Sequence, residues 1–395
     1  MNRRITIITG QHLTANPRVW KEANALASGG FFVTIHTTWY NPLLLTEDKK
    51  LIDKAVNYLP SFSLIYSWNN CILVSFARAL KKVANYMFKW FKISSIYQEI
   101  YLPGIQLKRI LNTPADLFIC HQEAGLLLGV QLLKKGKKVA FDFEDWYAKD
   151  YPNFFRPINL FRENELHALK YAEYVTCPSD SMSIALQQYY KFDRQVSVVY
   201  NSFPPGNIQD NHIQKIPNSL VWFSQTVGPN RGIEDFINVL RQLDIPVEIH
   251  FIGFSSISYR EYLVECLNGT PHKVKIHSLM KHSDMVNFVN QFEYGLALEE
   301  SFPSNKDLTI SNKILLYLQL NLHVIATSTK GHLELKPDFG GSISYIETGK
   351  TLANAELIRR ILIRGVNKPT IEMGKYQWKM QEQVIRDLVE DALNK

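Results

Sequence analysis

Short apolar runs alternate with amphipathic segments along both halves of the chain. Residues 5–9 are apolar and largely β-branched, which is typical of a strand buried on both faces. A polar loop follows, after which Asn16 is expected to cap a helix with Pro17 at its first position and Gly29 and Gly30 at its end. The next run, FFVTIHT, completes a β-α-β unit, whose right-handed crossover makes its two strands parallel.

The same alternation continues to about residue 200 and restarts near residue 220. It predicts an α/β protein with two Rossmann-like, doubly wound parallel-sheet domains that face a central cleft. We place the first domain at 1–200 and the second at 220–374. Residues 201–219 contain three prolines without an apolar period, which indicates a linker. Residues 375–395 form a last amphipathic helix that could pack back on the first domain.

Composition and charge fit a folded protein that binds an anion. Of the 395 residues, 46% are hydrophobic and 21% are charged, so no disordered class is indicated. The chain has 44 Lys and Arg against 37 Asp and Glu, a net charge of +7. This surplus suits nucleic acid, an anionic membrane or a phosphorylated small molecule. Four scattered cysteines without metal-type spacing, and no long uncharged apolar stretch, lead us to expect a cytoplasmic protein.

Polar side chains follow three predicted strands of the first domain. Because the carboxyl ends of parallel strands share one edge of a sheet, these residues could converge from distant parts of the sequence. Alternatively, Asn16 only caps its helix and the carboxylates are solvated loop residues. The candidates are His12, Asn16, Arg18, His121, Glu123, Asp142, Glu144 and Asp145.

Two segments of the second domain have the properties of anion sites. The loop SQTVGPNRGIE ends a strand and opens a helix, so Gly228 and Gly232 allow close backbone approach while Arg231 adds charge. Further along, Ser311 can cap a helix that begins at Asn312, with Lys313 beside it. The alternatives are an ordinary solvated loop and a capped core helix with an exposed lysine.

Residues 72–97 are basic and amphipathic. Such a helix can lie in a membrane interface against anionic lipid, or its apolar face can pack on the first domain's sheet with the cations solvated. We assign one face to apolar residues and the opposite face to basic residues. The apolar set is Leu73, Phe76, Leu80, Val83, Met87 and Trp90, and the basic set is Arg78, Lys82, Lys89 and Lys92.

The chain resembles the GT-B glycosyltransferases, in particular the large retaining, nucleotide-sugar-dependent group of bacterial polysaccharide and glycolipid synthesis. The resemblance spans nearly the full length. Its more specific segments are LTANPRVWKEANALASGGFFVTI and LTISNKILLYLQLNLHVIATSTKGHLEL. It implies transfer of a sugar from a nucleotide-diphosphate donor to a glycan or lipid-linked acceptor, with retention and without a cofactor or metal.

The resemblance also implies roles for individual residues. His121 would lie near the transferred sugar, with Asn16 and Arg18 close to the reaction centre. His12, Glu144 and Asp145 would help hold the acceptor. The donor would be bound by Gly228, Arg231, Gly232, Glu299, Thr309, Ser311, Asn312 and Lys313.

The sequence departs from this family at one helix. A glutamate that pairs with the donor's ribose is usual there, followed by Gly and Pro, but the positions read Leu316, Asn321 and His323. An apolar side chain cannot pair with hydroxyls, so nucleotide binding would depend on other residues, such as Glu299, Glu300 or Glu334. The chain could therefore also be a non-catalytic glycan- or nucleotide-binding scaffold, or a nucleotide-sugar epimerase. A nucleic-acid binder is disfavoured, because the surplus charge is small and concentrated on one helix.

Overall fold

The fold is described from a computed structural model over residues 3–67, 69–150, 156–204, 214–365 and 371–395. The chain divides into two compact units. The first domain is Met1–Tyr200 with Lys379–Lys395, and the second domain is Asn201–Trp378. Residues 205–213 of the predicted linker lie outside the described residues, and its last four residues already belong to a strand of the second domain.

The first domain is built on a seven-stranded parallel sheet of order β3-β2-β1-β4-β5-β6-β7. Its strands are β1 Arg4–Ile8, β2 Phe32–Trp39, β3 Asn57–Ser63, β4 Leu117–His121, β5 Val139–Asp142, β6 Val175–Cys177 and β7 Ser197–Val198. Its helices are α1 Pro17–Ser28, α2 Pro42–Leu51, α3 Cys71–Phe91, α4 Pro103–Leu111, α5 Gln122–Leu133, α6 Ile158–Tyr171 and α7 Asp180–Tyr190.

The central strands are apolar on both faces because helices cover both sides of the sheet. Ile5 pairs with Leu117 in the register of β1 and β4, and both residues are buried. Strand order reverses at this pair, so the loops that follow β1 and β4 leave in opposite directions. The polar residues singled out from the sequence begin in these two loops.

Local signals set the boundaries of α1 as predicted. The Asn16 side chain accepts a hydrogen bond from the Arg18 backbone N–H at 3.2 Å, and Pro17 occupies the first turn. The helix ends at Ser28, and Gly30 adopts a left-handed φ of 87°. Edge strand β3 was not predicted, because its sequence NYLPSFS has no clear apolar alternation.

The last helix packs on the first domain. It spans Trp378–Asn394 and is preceded by the 3-10 turn Gly374–Tyr376. Arg386 donates hydrogen bonds to the Ala25 carbonyl at 3.0 Å and to the Ser28 hydroxyl at 2.8 Å, both at the end of α1. The chain therefore returns to the first domain after completing the second.

The second domain has a six-stranded parallel sheet of order β10-β9-β8-β11-β12-β13. Its strands are β8 Ile216–Thr226, β9 Glu248–Phe254, β10 Lys273–His277, β11 Phe292–Ala297, β12 His323–Thr327 and β13 Ile343–Ile346. Its helices are α8 Ile233–Leu240, α9 Ile257–Cys266, α10 His282–Val289, α11 Ser304–Leu308, α12 Asn312–Gln319, α13 Lys330–Leu333, α14 Lys336–Phe339 and α15 Thr351–Arg364, and the last helix is α16.

Both halves of the chain thus form parallel α/β sheets, and the predicted fold class is confirmed. In the second domain, side chains of α8, α9 and α15 close over one face of the sheet, with Trp222, Phe236 and Phe251 at the centre of that core. Among the helices in the described part of the chain, none is both long enough and apolar enough to cross a bilayer.

One close approach links β11 to α12. The Tyr317 ring lies against the backbone of Gly295, and its hydroxyl donates a hydrogen bond to the Val221 carbonyl at 3.1 Å. A Cβ atom at position 295 would lie 2.2 Å from a ring carbon of Tyr317. Only glycine leaves room for this ring, which helps fix α12 against β11.

We predict that Gly295→Ala lowers the free energy of unfolding by about 1–3 kcal/mol, because the added methyl must displace a buried ring. Urea unfolding followed by circular dichroism measures the change. The control is Gly341→Ala in the same domain, where a Cβ meets no atom within 4 Å of the described residues. Equal stability of the two variants would contradict the prediction.

Candidate functional site

In the first domain, the polar loop after β1 is tied to the ends of β4 and β5. Arg18 donates from Nε to Asp142 Oδ2 at 2.5 Å and from Nη1 to the Val199 carbonyl at 2.8 Å. Asn16 donates from Nδ2 to Glu144 Oε1 at 2.7 Å. The structure therefore brings together two predicted residue groups, Asn16 and Arg18 with Asp142 and Glu144, that are more than 100 positions apart in sequence.

His121, at the end of β4, is the centre of this cluster. Its Nδ1 lies 3.0 Å from Glu144 Oε1 and 3.9 Å from Asp142 Oδ2, and its Nε2 lies 2.7 Å from Glu22 Oε2. The His121 side chain is fully buried, and both of its ring nitrogens face carboxylates. We expected His121 to stand beside the transferred sugar, whereas the contacts seen here are those of a residue that positions its neighbours.

The cluster is neutral when its basic groups are charged. Burial by itself lowers the pKa of His121, but the charge of Glu22 and the hydrogen bond to Glu144 outweigh it and raise that pKa to about 10. Arg18, Lys21 and protonated His121 then balance Glu22, Asp142 and Glu144. Full charge balance removes the cost of an uncompensated buried ion.

The pKa of Lys21, in the same cluster, is lowered, whereas that of His121 is raised. Lys21 is buried, and burial together with the positive charge of Arg18 lowers its pKa to about 7. Glu144 and Asp142 oppose the shift. One helix turn of α1 therefore holds two groups of the cluster, Lys21 and Glu22, that the sequence analysis did not single out. The available signal was two adjacent charged residues on a helix that is otherwise packed against the sheet.

The ligand atoms of Glu22, His121 and Asp142 lie within 4.8 Å of one another, a spacing that a metal ion could use. The donor chemistry argues for an ion-pair network instead. A metal requires neutral imidazole, whereas the carboxylates here hold the proton on His121. Arg18 already supplies positive charge to Asp142.

His12 serves the fold of its own loop. Its Nδ1 lies 2.5 Å from Asp48 Oδ2, and its Nε2 accepts from the backbone N–H groups of Tyr40 and Asn41, both at 3.2 Å. Nδ1 must therefore carry the proton. Both His12 and Asp48 are fully buried, and Thr14 N–H also donates to Asp48 at 2.8 Å. The expected contact of His12 with an acceptor is replaced by contacts that join the loop after β1 to α2.

The surface above the buried cluster is polar. Asp145 is exposed, and Glu144 keeps 16% of its side chain accessible. Glu123 pairs with Arg156 Nη2 at 3.1 Å, a partner that sequence reasoning missed. Gln122 has a left-handed φ of 61° and accepts from the Thr9 hydroxyl at 2.7 Å. Left-handed backbone in a residue other than glycine is uncommon and clusters at functional loops.

In the second domain, the loop between β8 and α8 has the expected tight geometry. Asn230 and Gly232 adopt left-handed φ angles of 61° and 72°, which turn the chain sharply into the helix. Arg231 between them donates from Nη1 to the Ser224 hydroxyl at 3.2 Å. Gly228 is buried at the start of the loop.

Two cations of this domain lie beside Glu299, just after β11. Lys313 Nζ lies 3.0 Å from Glu299 Oε1 and Lys306 Nζ lies 4.0 Å from Glu299 Oε2. Burial lowers the pKa of Lys306, Glu299 and Glu300 oppose that shift, and the charges of Arg231 and Lys313 add to it. The charges of Arg231 and Lys313 therefore both act on Lys306.

Glu299 itself is held in its charged form. Burial would raise the pKa of Glu299, but the charge of Lys313 and its hydrogen bond lower that pKa below its usual range. Lys313 is only 9% exposed and lies 5.3 Å above the Trp222 ring. The cation expected to be a solvated helix residue in the alternative interpretation is thus largely buried.

The start of α12 differs from the prediction in one respect. The helix begins at Asn312, but the Ser311 hydroxyl makes no capping bond and instead accepts from Lys313 Nζ at 3.5 Å. Asn312 Oδ1 accepts from Asn201 Nδ2 at 2.9 Å, and the Thr309 hydroxyl donates to the Asn305 carbonyl at 2.8 Å. The N-cap side chain of Ser311 therefore does not cap the first amides of α12.

The family-atypical positions have structural explanations. Leu316 is 1% exposed and belongs to the core. Asn321 takes a left-handed φ of 54°, the conformation that the usual glycine would adopt, and its side chain accepts from the Ile371 N–H at 3.0 Å. Burial lowers the pKa of His323 to about 4. Asparagine and histidine therefore keep the local fold, while the carboxylate has no replacement at position 316.

A pocket of about 700 Å³ lies beside the cationic cluster, within the second domain. It opens between the start of α8, the loop after β11 and the loop after β13. Asn230, Gly232 and Thr327 form part of its wall. Its charged lining is acidic and comprises Glu234, Asp235, Glu300 and Glu347.

Comparison with known proteins identifies the fold. HepE from Anabaena, solved in complex with UDP-glucose, superposes with a TM-score of 0.68 at 13% identity over 98% of this chain and 99% of that one. The apo form of the lipopolysaccharide outer core galactosyltransferase WaaB gives 0.61 at 14% identity, over 98% and 99%. A putative UDP-N-acetylglucosamine 2-epimerase from Listeria monocytogenes gives 0.50 at 12% identity, over 96% and 91%.

These neighbours show that the chain has the fold of the GT-B glycosyltransferases, as the resemblance implied. No protein-family model and no curated protein sequence matches it. At identities of only 13–14%, these structural superpositions establish the fold, and the activity must be argued from the site.

The buried cluster generates a prediction about pH. His121 stabilises the folded state fully below its unfolded pKa of about 6.5, and this contribution is lost as the pH rises toward about 10. Lys21 acts in the opposite sense, because its lowered pKa makes folding more favourable as the pH rises from about 7 to 10.5. The two effects offset each other in the wild type.

We therefore expect opposite changes in two variants. Between pH 7 and 10, relative to wild type, the melting temperature of His121→Gln should rise with pH and that of Lys21→Met should fall. Differential scanning calorimetry at half-unit pH intervals measures both slopes, and each variant serves as the control for the other. Parallel slopes in the two variants would show that the cluster is not charged as described.

Proposed function

We propose that the protein is a glycosyltransferase that moves a sugar from a nucleoside diphosphate donor to a glycan or lipid-linked acceptor. The observation that supports it most is that Lys306 and Lys313 lie beside Glu299, and that the charge of Arg231 also acts on Lys306, at the carboxyl ends of β8 and β11. Three positive groups against the carboxylates of Glu299 and Glu300 leave a net charge of +1, which attracts an anionic diphosphate.

In this proposal the diphosphate binds at the cationic cluster and at the uncapped start of α12. Free amides at a helix N-terminus donate to phosphate oxygens, and the helix dipole favours their charge. The neighbouring pocket repels phosphate through its acidic lining, but carboxylates accept hydrogen bonds from hydroxyls. It is therefore suited to a hydroxyl-rich part of the donor, and we take Glu300, in its lining, as the candidate to replace the carboxylate missing at Leu316.

The chemical step needs stabilisation of the departing nucleoside diphosphate. Arg231 and Lys313 supply positive charge at a fixed place as the bond to the sugar breaks, which lowers the barrier without reorganisation of solvent. We propose retention of configuration without a metal, with the leaving phosphate accepting the proton of the acceptor hydroxyl. The cationic cluster supports this by supplying the charge that a metal would otherwise provide.

In the first domain, we propose that the acceptor binds at the polar surface formed by Asp145 and the exposed part of Glu144. His121, Asn16 and Arg18 then act as positioning residues, because they fix Glu144 and Asp142 from beneath. This differs from a direct catalytic role for His121. It predicts that loss of His121 changes the acceptor KM as well as turnover.

The proposal is tested with a panel of nucleotide sugars, with and without oligosaccharide acceptors, by measuring released nucleotide. Release that depends on acceptor supports transfer. Release or sugar isomerisation without acceptor would instead support an epimerase, which the Listeria neighbour makes a specific rival. No release, and no rise in melting temperature with any UDP, GDP or ADP species, would indicate a scaffold.

Arg231→Ala should weaken donor binding by about 10- to 100-fold, because a charged hydrogen bond to phosphate contributes roughly 1.5–3 kcal/mol. Isothermal titration with the donor identified in the panel measures the loss. Arg241→Ala is the matched control. It removes the same charge, and Arg241 is exposed at the opposite end of α8. Unchanged affinity in Arg231→Ala would remove this arginine from the site.

A further inference from the structure

The inner face of α3 accounts for its place in the fold. Val74 and Ala77 are buried against Phe62, Leu64 and Leu102 in a small apolar cluster. Partly buried Leu73 and Leu80 pack at its margin. The hydrophobic contribution of α3 to the first domain is therefore made by these side chains.

A second apolar stripe runs along the outer face of the same helix. Its members are spaced by four and three residues in turn, so they form one line along the helix. They are exposed: Ile72 by 83%, Phe76 by 55%, Val83 by 56%, Tyr86 by 59% and Trp90 by 61%, with Ala79 between them. Over 18 residues this line is about 27 Å long.

The structure thereby corrects the faces assigned from the sequence. The six residues placed on one apolar face are divided, with Leu73 and Leu80 on the inner side and Phe76, Val83 and Trp90 on the outer side. The apolar residues of α3 extend around much of the helix circumference. Their periodicity does not show which of them pack against the domain and which are exposed. The basic residues flank the outer stripe instead of opposing it.

The charge around the stripe has one sign. Arg78, Lys82 and Lys89 form a row beside it, Lys92 follows the helix end, and the sequence has no Asp or Glu between Asp53 and Glu99. The cations are near aromatic rings at the margin of the stripe. The Arg78 guanidinium lies 4.7 Å above the Tyr66 ring, and Lys89 Nζ lies 5.3 Å from the Trp90 ring.

We propose that this outer face of α3 docks on an anionic lipid bilayer, with the apolar stripe in the interface and the basic row against lipid phosphates. A straight apolar line with Tyr and Trp near one end suits a flat, amphipathic surface. The row of cations suits anionic headgroups. A second copy of the chain would bring the same cations face to face, so charge disfavours it as the occupant.

The test is sedimentation of the full-length protein with vesicles of phosphatidylcholine and phosphatidylglycerol at a 3:1 ratio in low salt. Lys82→Glu with Lys89→Glu should reduce partitioning about 25-fold or more, since each lysine near an anionic surface accounts for roughly fivefold. Phe76→Ser with Val83→Ser should reduce it about tenfold or more at any salt concentration, because the loss is hydrophobic. All four side chains are exposed or at the helix surface, and unchanged thermal melting confirms folding.

Matched controls lie elsewhere on the surface. Lys336→Glu with Lys379→Glu changes the net charge equally, and Leu352→Ser with Ile257→Ser removes apolar side chains that are at least as exposed. Both control pairs should sediment like wild type. Wild-type sedimentation of the two α3 pairs, or equal loss in the controls, would overturn the proposal.

Quenching by brominated lipid separates insertion from electrostatic attraction alone. Bilayer-dependent quenching of tryptophan fluorescence should be present in the wild type and lost in Trp90→Phe. If only the lysine pair loses binding and Trp90 is not quenched, the face does not enter a bilayer and fits an acidic protein partner instead. This result would leave the donor assay unaffected, so the two proposals can fail separately.

Discussion

A cation held against a carboxylate at the carboxyl end of a parallel strand is the interaction on which both candidate sites depend. Arg18 is paired with Asp142, the last residue of β5, and Lys313 is paired with Glu299, which follows β11. A buried pair that loses one partner leaves an uncompensated charge, at a cost of roughly 3–5 kcal/mol. Each pair therefore fixes its strand-end loop in one arrangement, and the other polar residues take their places around it.

The two pairs have different consequences because their surroundings differ. Around Asp142, every basic group is matched by a carboxylate, so the cluster is neutral and closed. Around Lys306, the three cations Arg231, Lys306 and Lys313 outnumber the two carboxylates, Glu299 and Glu300. The first arrangement is suited to positioning, whereas the second is suited to attracting an anion.

Helix α3 shows that one element can satisfy the fold and still present an apolar surface. Its inner residues are buried in the apolar cluster with Phe62 and Leu102. Its outer stripe contributes nothing to that cluster and is costly to expose to water, which makes it informative. Because the sequence has no Asp or Glu between Asp53 and Glu99, this surface is positively charged as well as apolar, which favours an anionic partner.

Much of the fold was predictable from local signals. Apolar runs and the cap at Asn16 located β1, α1 and the parallel arrangement, because helix and strand periods and capping are properties of neighbouring residues. The glycine-flanked turn at Arg231 was found in the same way. Edge strand β3 was missed, since its pattern is weak and its pairing depends on β2.

The sequence by itself determined most of the elements, their order and the strand ends at which polar residues collect. Only the tertiary structure decided which of those residues are buried and paired, since Glu22 and His121 meet across about 100 residues of chain. It also decided that the Ser311 hydroxyl contacts Lys313 instead of capping α12, and which of the two apolar sides of α3 is covered. The physical reason is that burial and charge pairing depend on neighbours in space, which helix and strand periods do not specify.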